Sequence, residues 1–311
     1  MMSAAATSES DIMMFCASCG TAEDDDIKLK KCACHLVKYC SVKCQKDHRP
    51  KHKKECKKRT AELRDEILFK QPEESHLGDC PICCVPLPID VSKSGFYLCC
   101  SKHVCDGCDR ANKKRQDERR LQHTCPFCRE ALSRTQDESK ERLLKRIQAN
   151  DPVAMRNMGT NRDIEGDHNA AFDYWTKAAA LGDVVAHFQL SNYYYHGKGV
   201  EKDEKRALYH TEQAAIGGHP HARYNLGYLD MKNDQVDRAK KHWIIAAKLG
   251  HDQSLTAVKD LYRDGLVSKE DFATALRGHK AAIDATTSPQ RKEAAAFYKD
   301  HPKKEFQNSL R

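Results

Sequence analysis

The spacing of apolar positions divides this 311-residue chain unevenly. In residues 59–70, Leu63, Ile67 and Leu68 fall at helical intervals, which predicts a helical spacer closed by Pro72 and Gly78. Residues 136–149 form a charged stretch of similar rhythm and predict a second helical linker, over 132–150. From about Asp151 the chain is rich in Ala, Leu and Tyr and repeats itself. Ala178, Ala214 and Ala246 recur with Gly182, Gly218 and Gly250 four residues later, and Ala171, Ala207 and Ala239 keep the same intervals. Small residues let paired helices approach closely, and glycine permits the left-handed end of one helix before the next begins. Residues 151–256 therefore predict helix hairpins stacked as a solenoid. Trp175, Tyr193, Tyr194, Tyr195 and Trp243 sit at helical spacing and are expected to pack between the helices. His219 and His251 hold the repeat position that Asp183 holds earlier and are expected as polar loop residues. Ser268-x-x-Asp271 and Ser288-Pro289 read as helix starts, so residues 257–311 are expected to cap the solenoid.

Before residue 129 cysteine replaces this pattern: all 16 cysteines lie between Cys16 and Cys128. Hydrophobic residues make up 40% of the chain and charged residues 32%, and no stretch approaches the roughly 18 apolar residues of a membrane span. A soluble protein with no membrane partner is expected. Residues 1–13 predict a disordered start without the basic residues and apolar run of a secretory signal. The expected location is cytoplasmic or nuclear, where metal explains dense, patterned cysteines better than disulfides do. The net charge of +8 is partly local, because residues 46–59 carry eight Lys or Arg against Asp47 and Glu55. We read that run as a solvated helix face around metal ligands, and a nucleic-acid partner is not expected.

The first cluster, within a finger at 14–58, runs Cys16-x-x-Cys19, Cys32-x-Cys34, Cys40-x-x-x-Cys44 and His52-x-x-x-Cys56. Closely spaced pairs can turn both side chains onto one ion, and eight such ligands satisfy two tetrahedral zincs. So short a segment buries little core, so metal must supply folding free energy on the order of 10 kcal/mol per site. Tyr39-Cys40-Ser41-x-x-Cys44-Gln45-x-x-His48 followed by His52-Lys53-x-Glu55-Cys56 resembles a MYND finger. The resemblance implies one zinc on Cys16, Cys19, Cys40 and Cys44 and another on Cys32, Cys34, His52 and Cys56. Only Ala33 separates Cys32 from Cys34, where the family usually has two residues, so His35 stands as the alternative to Cys32. His48 is expected at the surface or behind a ligand.

The second cluster, within 79–131, runs Cys80-Pro-Ile-Cys83, Cys99-Cys100-x-x-His103-x-Cys105-x-x-Cys108 and Cys125-Pro-Phe-Cys128-Arg129. Its interleaved pairs resemble a RING finger of variant spacing. The resemblance implies one zinc on Cys80, Cys83, Cys105 and Cys108 and a second on Cys125 and Cys128 plus two of Cys99, Cys100 and His103. Lys102 occupies the place of the usual histidine and lacks a lone pair for zinc. Cys99 with Cys100 is the preferred set and His103 the rival. Cys84 is left over and is expected as a small buried thiol. In ligases of this family Ile82 and Pro126 would contact a ubiquitin-conjugating enzyme and Arg129 would hold the donor ubiquitin. Such a ligase works by positioning its partner's thioester and needs no nucleophile of its own.

The middle repeat reads Ala186-x-x-x-Leu190 and Tyr194-x-x-Gly197-x-Gly199-Val200-x-x-Asp203-x-x-Arg206-Ala207, which resembles a Sel-one-like repeat, a relative of the tetratricopeptide repeat. The flanking units lack the G-x-G-V loop, which accounts for their being shorter. No phosphate loop, nucleophile elbow or dinucleotide fingerprint is present. Some MYND proteins are lysine methyltransferases, but those carry a large further catalytic domain. The expectation is a mostly α protein: two small interleaved-zinc fingers, four Zn2+ in all, followed by an α-helical solenoid. Its work would be recruitment of proteins or peptides, with a RING-type ubiquitin ligase, a transferase, as the alternative.

Overall fold

A computed structural model of the chain describes residues 15–303. The expected start at 1–13 and the end of the expected capping segment, 304–311, lie outside them. The chain forms two compact units that meet in sequence between Lys70 and Gln71.

The first unit begins with turns and a two-stranded ribbon, β1 (Lys30–Lys31) antiparallel to β2 (Lys38–Tyr39), and ends in a long helix, α1 (Val42–Leu68). Ser41 starts α1 by accepting from the Cys44 amide at 3.2 Å. The helix is so polar that only His52 and Leu68 on it are buried. Its first half is therefore fixed by side chains that reach the cysteine clusters rather than by an apolar stripe. The boundary expected at 58 falls inside α1. Nothing between Cys56 and Leu68 stops a helix, and the chain leaves it only at Phe69, whose amide donates to Asp65.

The second unit opens with residues 71–78 and a finger built around the hairpin β3 (Ser94–Tyr97) and β4 (Lys102–Cys105), in register Ser94↔Cys105 to Tyr97↔Lys102, which runs into α2 (Asp106–Glu118). After α3 (Gln136–Gln148) come helix pairs: α4 (Pro152–Ile164) with α5 (His168–Ala180), α6 (Val184–His196) with α7 (Glu204–Ile216), and α8 (Pro220–Lys232) with α9 (Val236–Lys248). Next are α10 (Asp252–Arg263), α11 (Lys269–Ala285) and α12 (Pro289–Asp300). The protein is mostly α, two small fingers followed by a helical solenoid.

The packing explains two glycines that a helix would otherwise disfavour. Gly159 and Gly227 are slots for indole rings: a Cβ at Gly159 would lie 2.6 Å from Trp175 Nε1, and one at Gly227 only 2.4 Å from Trp243 Nε1. The seated indoles donate to Arg156 O at 3.2 Å and Tyr224 O at 3.1 Å. Trp175, Tyr193, Tyr194 and Trp243 are buried, as the spacing predicts, whereas Tyr195 stands exposed.

Each repeat's first helix starts at the same place. Asp151, Asp183, His219 and His251 are the N-caps of α4, α6, α8 and α10, following Asn150, Gly182, Gly218 and Gly250 in left-handed conformations. His219 and His251 are thus helix caps rather than merely polar loop residues. Their Nδ1 atoms accept from the Ala222 and Ser254 amides at 3.3 Å, and both rings are buried. The reason is chemical: a neutral imidazole has one lone pair to offer a helix N-terminus, as a carboxylate does.

The second finger is built into the solenoid. Leu98 packs on the cluster of Leu143, Ala154 and Met158, Arg146 donates to Ser101 Oγ at 3.3 Å while pairing with the Asp151 cap, and His76 lies on the His219 ring at 4.4 Å. At the far end α11 packs on α9 and α10, as a capping helix should. α12 does not: it turns away and packs along α2 of the finger, because its Phe297 and Tyr298 find Arg110 and Asp109 there.

Candidate metal centres

Four of the five C-x-x-C or C-x-C pairs fold alike; the fifth, Cys105-x-x-Cys108, instead joins the end of β4 to the first turn of α2. The first cysteine's amide bonds a carbonyl five residues on: Cys16 to Thr21 at 2.8 Å, Cys32 to Val37 at 2.8 Å, Cys80 to Val85 at 3.0 Å and Cys125 to Glu130 at 2.8 Å. Its carbonyl accepts from the residue just past the second cysteine, Gly20, His35, Cys84 or Arg129, each at 2.9 Å and each left-handed. This tight loop points both sulfurs to one side. It also removes His35 from the contest with Cys32, because His35 is the turn residue and its side chain is exposed. Cys84 is corrected by the same geometry. It is not a buried thiol but an exposed turn residue at φ 53°, outside every cluster.

The loops deliver ligand atoms to four points. Cys16, Cys19, Cys40 and Cys44 gather at one, Cys32, Cys34, His52 and Cys56 at another, Cys80, Cys83, Cys105 and Cys108 at a third, and Cys99, Cys100, Cys125 and Cys128 at the fourth, each set within 4.8 Å of one another. Sulfurs about 2.3 Å from a central zinc lie about 3.8 Å apart at tetrahedral angles. Observed separations are 3.5 Å for Cys19–Cys40, 3.6 Å for Cys40–Cys44, 3.5 Å for Cys32–Cys56, 3.8 Å for Cys83–Cys105 and 3.8 Å for Cys100–Cys125. All 16 thiols are free, and these distances are far beyond a disulfide's.

Charge makes the same point. Hydrogen bonds from Cys100 and Cys99 pull Cys125 down to about 2, and Cys100 is pushed up to about 12, first by Cys125. Cys80 is held down to about 4, first by the Cys105 thiol. Four thiolates this close cannot all ionise unless a cation sits among them. Zinc, with its preference for thiolate and imidazole, suits all four clusters, two per finger.

His103 is not in the fourth cluster. Its ring lies 5.1 Å from Phe96 and its Nε2 faces Arg156 at 3.4 Å, and burial, then Arg156, lowers its pKa to about 4. His48 stands behind a ligand: it stacks on His52 at 5.6 Å and bonds the Tyr39 hydroxyl at 2.9 Å. Of the three residues singled out for partner contact, Ile82 and Arg129 are exposed and Pro126 is half-buried, with exposed Phe127 beside it.

The comparisons with known proteins match two parts of the chain. Residues 16–56 fit the MYND finger model, and residues 152–183, 184–219 and 220–251 each fit the Sel1 repeat. The chain carries a MYND finger and three Sel1 repeats. Each match ends on an N-cap, Asp183, His219 or His251, so the three repeats are the hairpins that Asp151, Asp183 and His219 start. The second finger, at 80–128, lies outside both matched regions.

Among curated relatives, Chitin synthase regulatory factor 4 of Schizosaccharomyces pombe is 30% identical over 26% of this chain and 13% of its own length. Chitin synthase regulator SKT5 of Saccharomyces cerevisiae is 33% identical over 34% and 16%, and the mouse DAP3-binding cell death enhancer 1 is 24% identical over 45% and 36%. The chain thus spans well under half the length of these relatives. A Sel1 repeat protein from Oxalobacter formigenes is a similar solved structure, 27% identical with a TM-score of 0.37, covering 40% of this chain and 98% of its own.

Proposed function

We propose that the protein is a zinc-stabilised adaptor that recruits protein partners through the MYND finger and through the Sel1 repeats together with the second finger. The observation that carries this reading is an open cleft of about 1190 Å³ in the second unit. One wall is residues 86–90 of the second finger, and the other is the α9–α10 turn, the end of α11 and α12. Its rim bears Lys248, Lys292 and Lys299 as well as Glu73, Glu74 and Asp252, which fits a polypeptide of mixed charge better than a polyanion. The names of these curated relatives describe regulating or binding another protein, which agrees in kind.

The experiment is quantitative affinity enrichment on the full-length chain. Lys248→Glu with Lys299→Glu should lose one set of bound proteins, and Cys40→Ser with Cys44→Ser should lose a different one. The same bound set from wild type and both variants would refute recruitment by these surfaces. Elemental analysis should find four zinc ions per chain.

A second reading, a RING-type ubiquitin ligase, draws on one observation: Ile82, Phe127 and Arg129 stand exposed on the second finger, where a conjugating enzyme would have to dock. Autoubiquitination with a panel of conjugating enzymes, abolished by Ile82→Ala and weakened by Arg129→Ala, would support it. Silence across the panel leaves the adaptor.

A further inference from the structure

We propose that Arg291, at the start of α12, is an outer partner of the zinc site formed by Cys80, Cys83, Cys105 and Cys108, and that through it metal binding and seating of the C-terminal helix are linked. The inference rests on the metal reading of the second finger. Arg291 Nη2 donates to Cys83 Sγ at 3.6 Å and to Val85 O at 2.9 Å, while Nη1 donates to Pro86 O at 2.6 Å and Thr286 O at 2.8 Å. One guanidinium fork thus grips a ligand sulfur, the carbonyls two and three residues beyond it, and the chain entering its own helix.

The second ligand segment of the site is touched as well. Gly107 lies between ligands Cys105 and Cys108, and a Cβ there would come 2.9 Å from the Arg291 backbone nitrogen. Farther along, Phe297 lies under Arg110 at 3.8 Å, Tyr298 donates to Asp109 at 3.3 Å, and Lys303 reaches Asp106 at 2.6 Å.

Charge gives the contact its purpose. A zinc ion held by four thiolates carries a net −2, and a half-buried site of that charge is stabilised by an adjacent cation that can also donate to sulfur. Arg291 supplies both from a point about 200 residues away in sequence. The seat for α12 exists only when segments 83–86 and 105–108 are drawn together, which the metal does. Thermodynamic reciprocity then requires that helix docking tighten the metal by the same factor that metal tightens the helix. Because α12 also walls the cleft, loss of this zinc would open that wall.

The test measures zinc release from the full chain to a chromophoric chelator. In Arg291→Ala one of the four ions should leave about 10- to 100-fold more readily, the range for lost outer-shell partners. Arg291→Lys, which keeps the charge without the fork, should fall between. Glu293→Ala on the same helix, which removes only a solvent-exposed ion pair to Lys114 of α2, should match wild type. In cobalt-substituted protein, Arg291→Ala should shift the thiolate-to-cobalt charge-transfer band of one site. Hydrogen exchange on wild type needs no variant: stripping zinc should deprotect 289–303 while 152–216 stays protected. Unchanged release in Arg291→Ala, or a protected α12 after stripping, overturns the linkage. Finding only two zincs in wild type, both in the MYND finger, would instead overturn the metal reading beneath it.

Discussion

Gly227→Ala is a sharp test of the repeat packing, because two physical effects oppose each other in sign. Gly227 lies mid-helix in α8, where alanine would gain about 1 kcal/mol of helix propensity if the site were open. The site is not open. The new methyl would meet Trp243 at 2.4 Å from Nε1, 2.7 Å from Cδ1 and 2.8 Å from Cε2, roughly 1 Å inside ordinary contact. Trp243 is 7% exposed and its indole N–H is engaged with Tyr224 O, so moving the ring overpacks the core and breaks that bond as well. Overpacking costs about 1–3 kcal/mol and a buried hydrogen bond about 1 kcal/mol. After subtracting the helix gain, the expected net loss is about 2 kcal/mol. For a unit of this size that lowers the unfolding midpoint by about 4–8 °C. Thermal circular dichroism in zinc-containing buffer reads it directly, and Gly159→Ala should repeat the result against Trp175. A midpoint that rises in either variant would show that the indole slot does not constrain the backbone, and the packing account would be wrong.

The caps and the metal loops carry the remaining predictions. His219 is held down to about 2 by burial and by His76, His221, His251 and Arg156 around it, and His251 to about 4 by burial and His221, against about 6.5 in the unfolded chain. Both therefore stay neutral in the fold while the unfolded chain takes up protons, so their contribution is intact above about pH 6.5 and is lost as pH falls toward those lower values. His219→Asp, a cap that does not titrate in this range, should flatten the decline in urea midpoint between pH 6.5 and 5, and an unchanged slope would exclude the cap as its source. Cys84 is the one thiol outside the clusters, so brief alkylation of zinc-loaded protein should label it first by mass spectrometry. Cys84→Gly should keep four zincs and gain about 1 kcal/mol by relieving a left-handed residue, and a lost zinc would place Cys84 among the ligands.

The metal sites were legible because ligand pairs are local: two ligands a few residues apart share one tight loop or one turn of helix whatever the rest of the chain does. Within those loops the misreadings are also local. Cys84 occupies the turn position that Gly20 holds after Cys19, a parallel visible in the sequence that would have placed it at the surface. His35 fails as a ligand for the same reason. The helical capping role of His219 and His251 was hidden because Asp183 reads as a cap and histidine does not, although the repeat aligned them. Gly159 with Trp175 and Gly227 with Trp243 share one spacing, a signal that could have announced the slots.

By itself the sequence determined the parts: two cysteine-rich fingers, a helical solenoid of repeated hairpins, and zinc as the cement of the front of the chain. These follow from interactions within a few residues or one repeat, where periodicity and ligand spacing are complete information. Only the tertiary structure decided that the second finger is seated on the repeats and clamped by α12. That arrangement depends on contacts such as Arg291 with Cys83 and His76 with His219, made between segments far apart in sequence. No periodic pattern records such pairings, because each is selected by shape and charge complementarity after the local elements have formed.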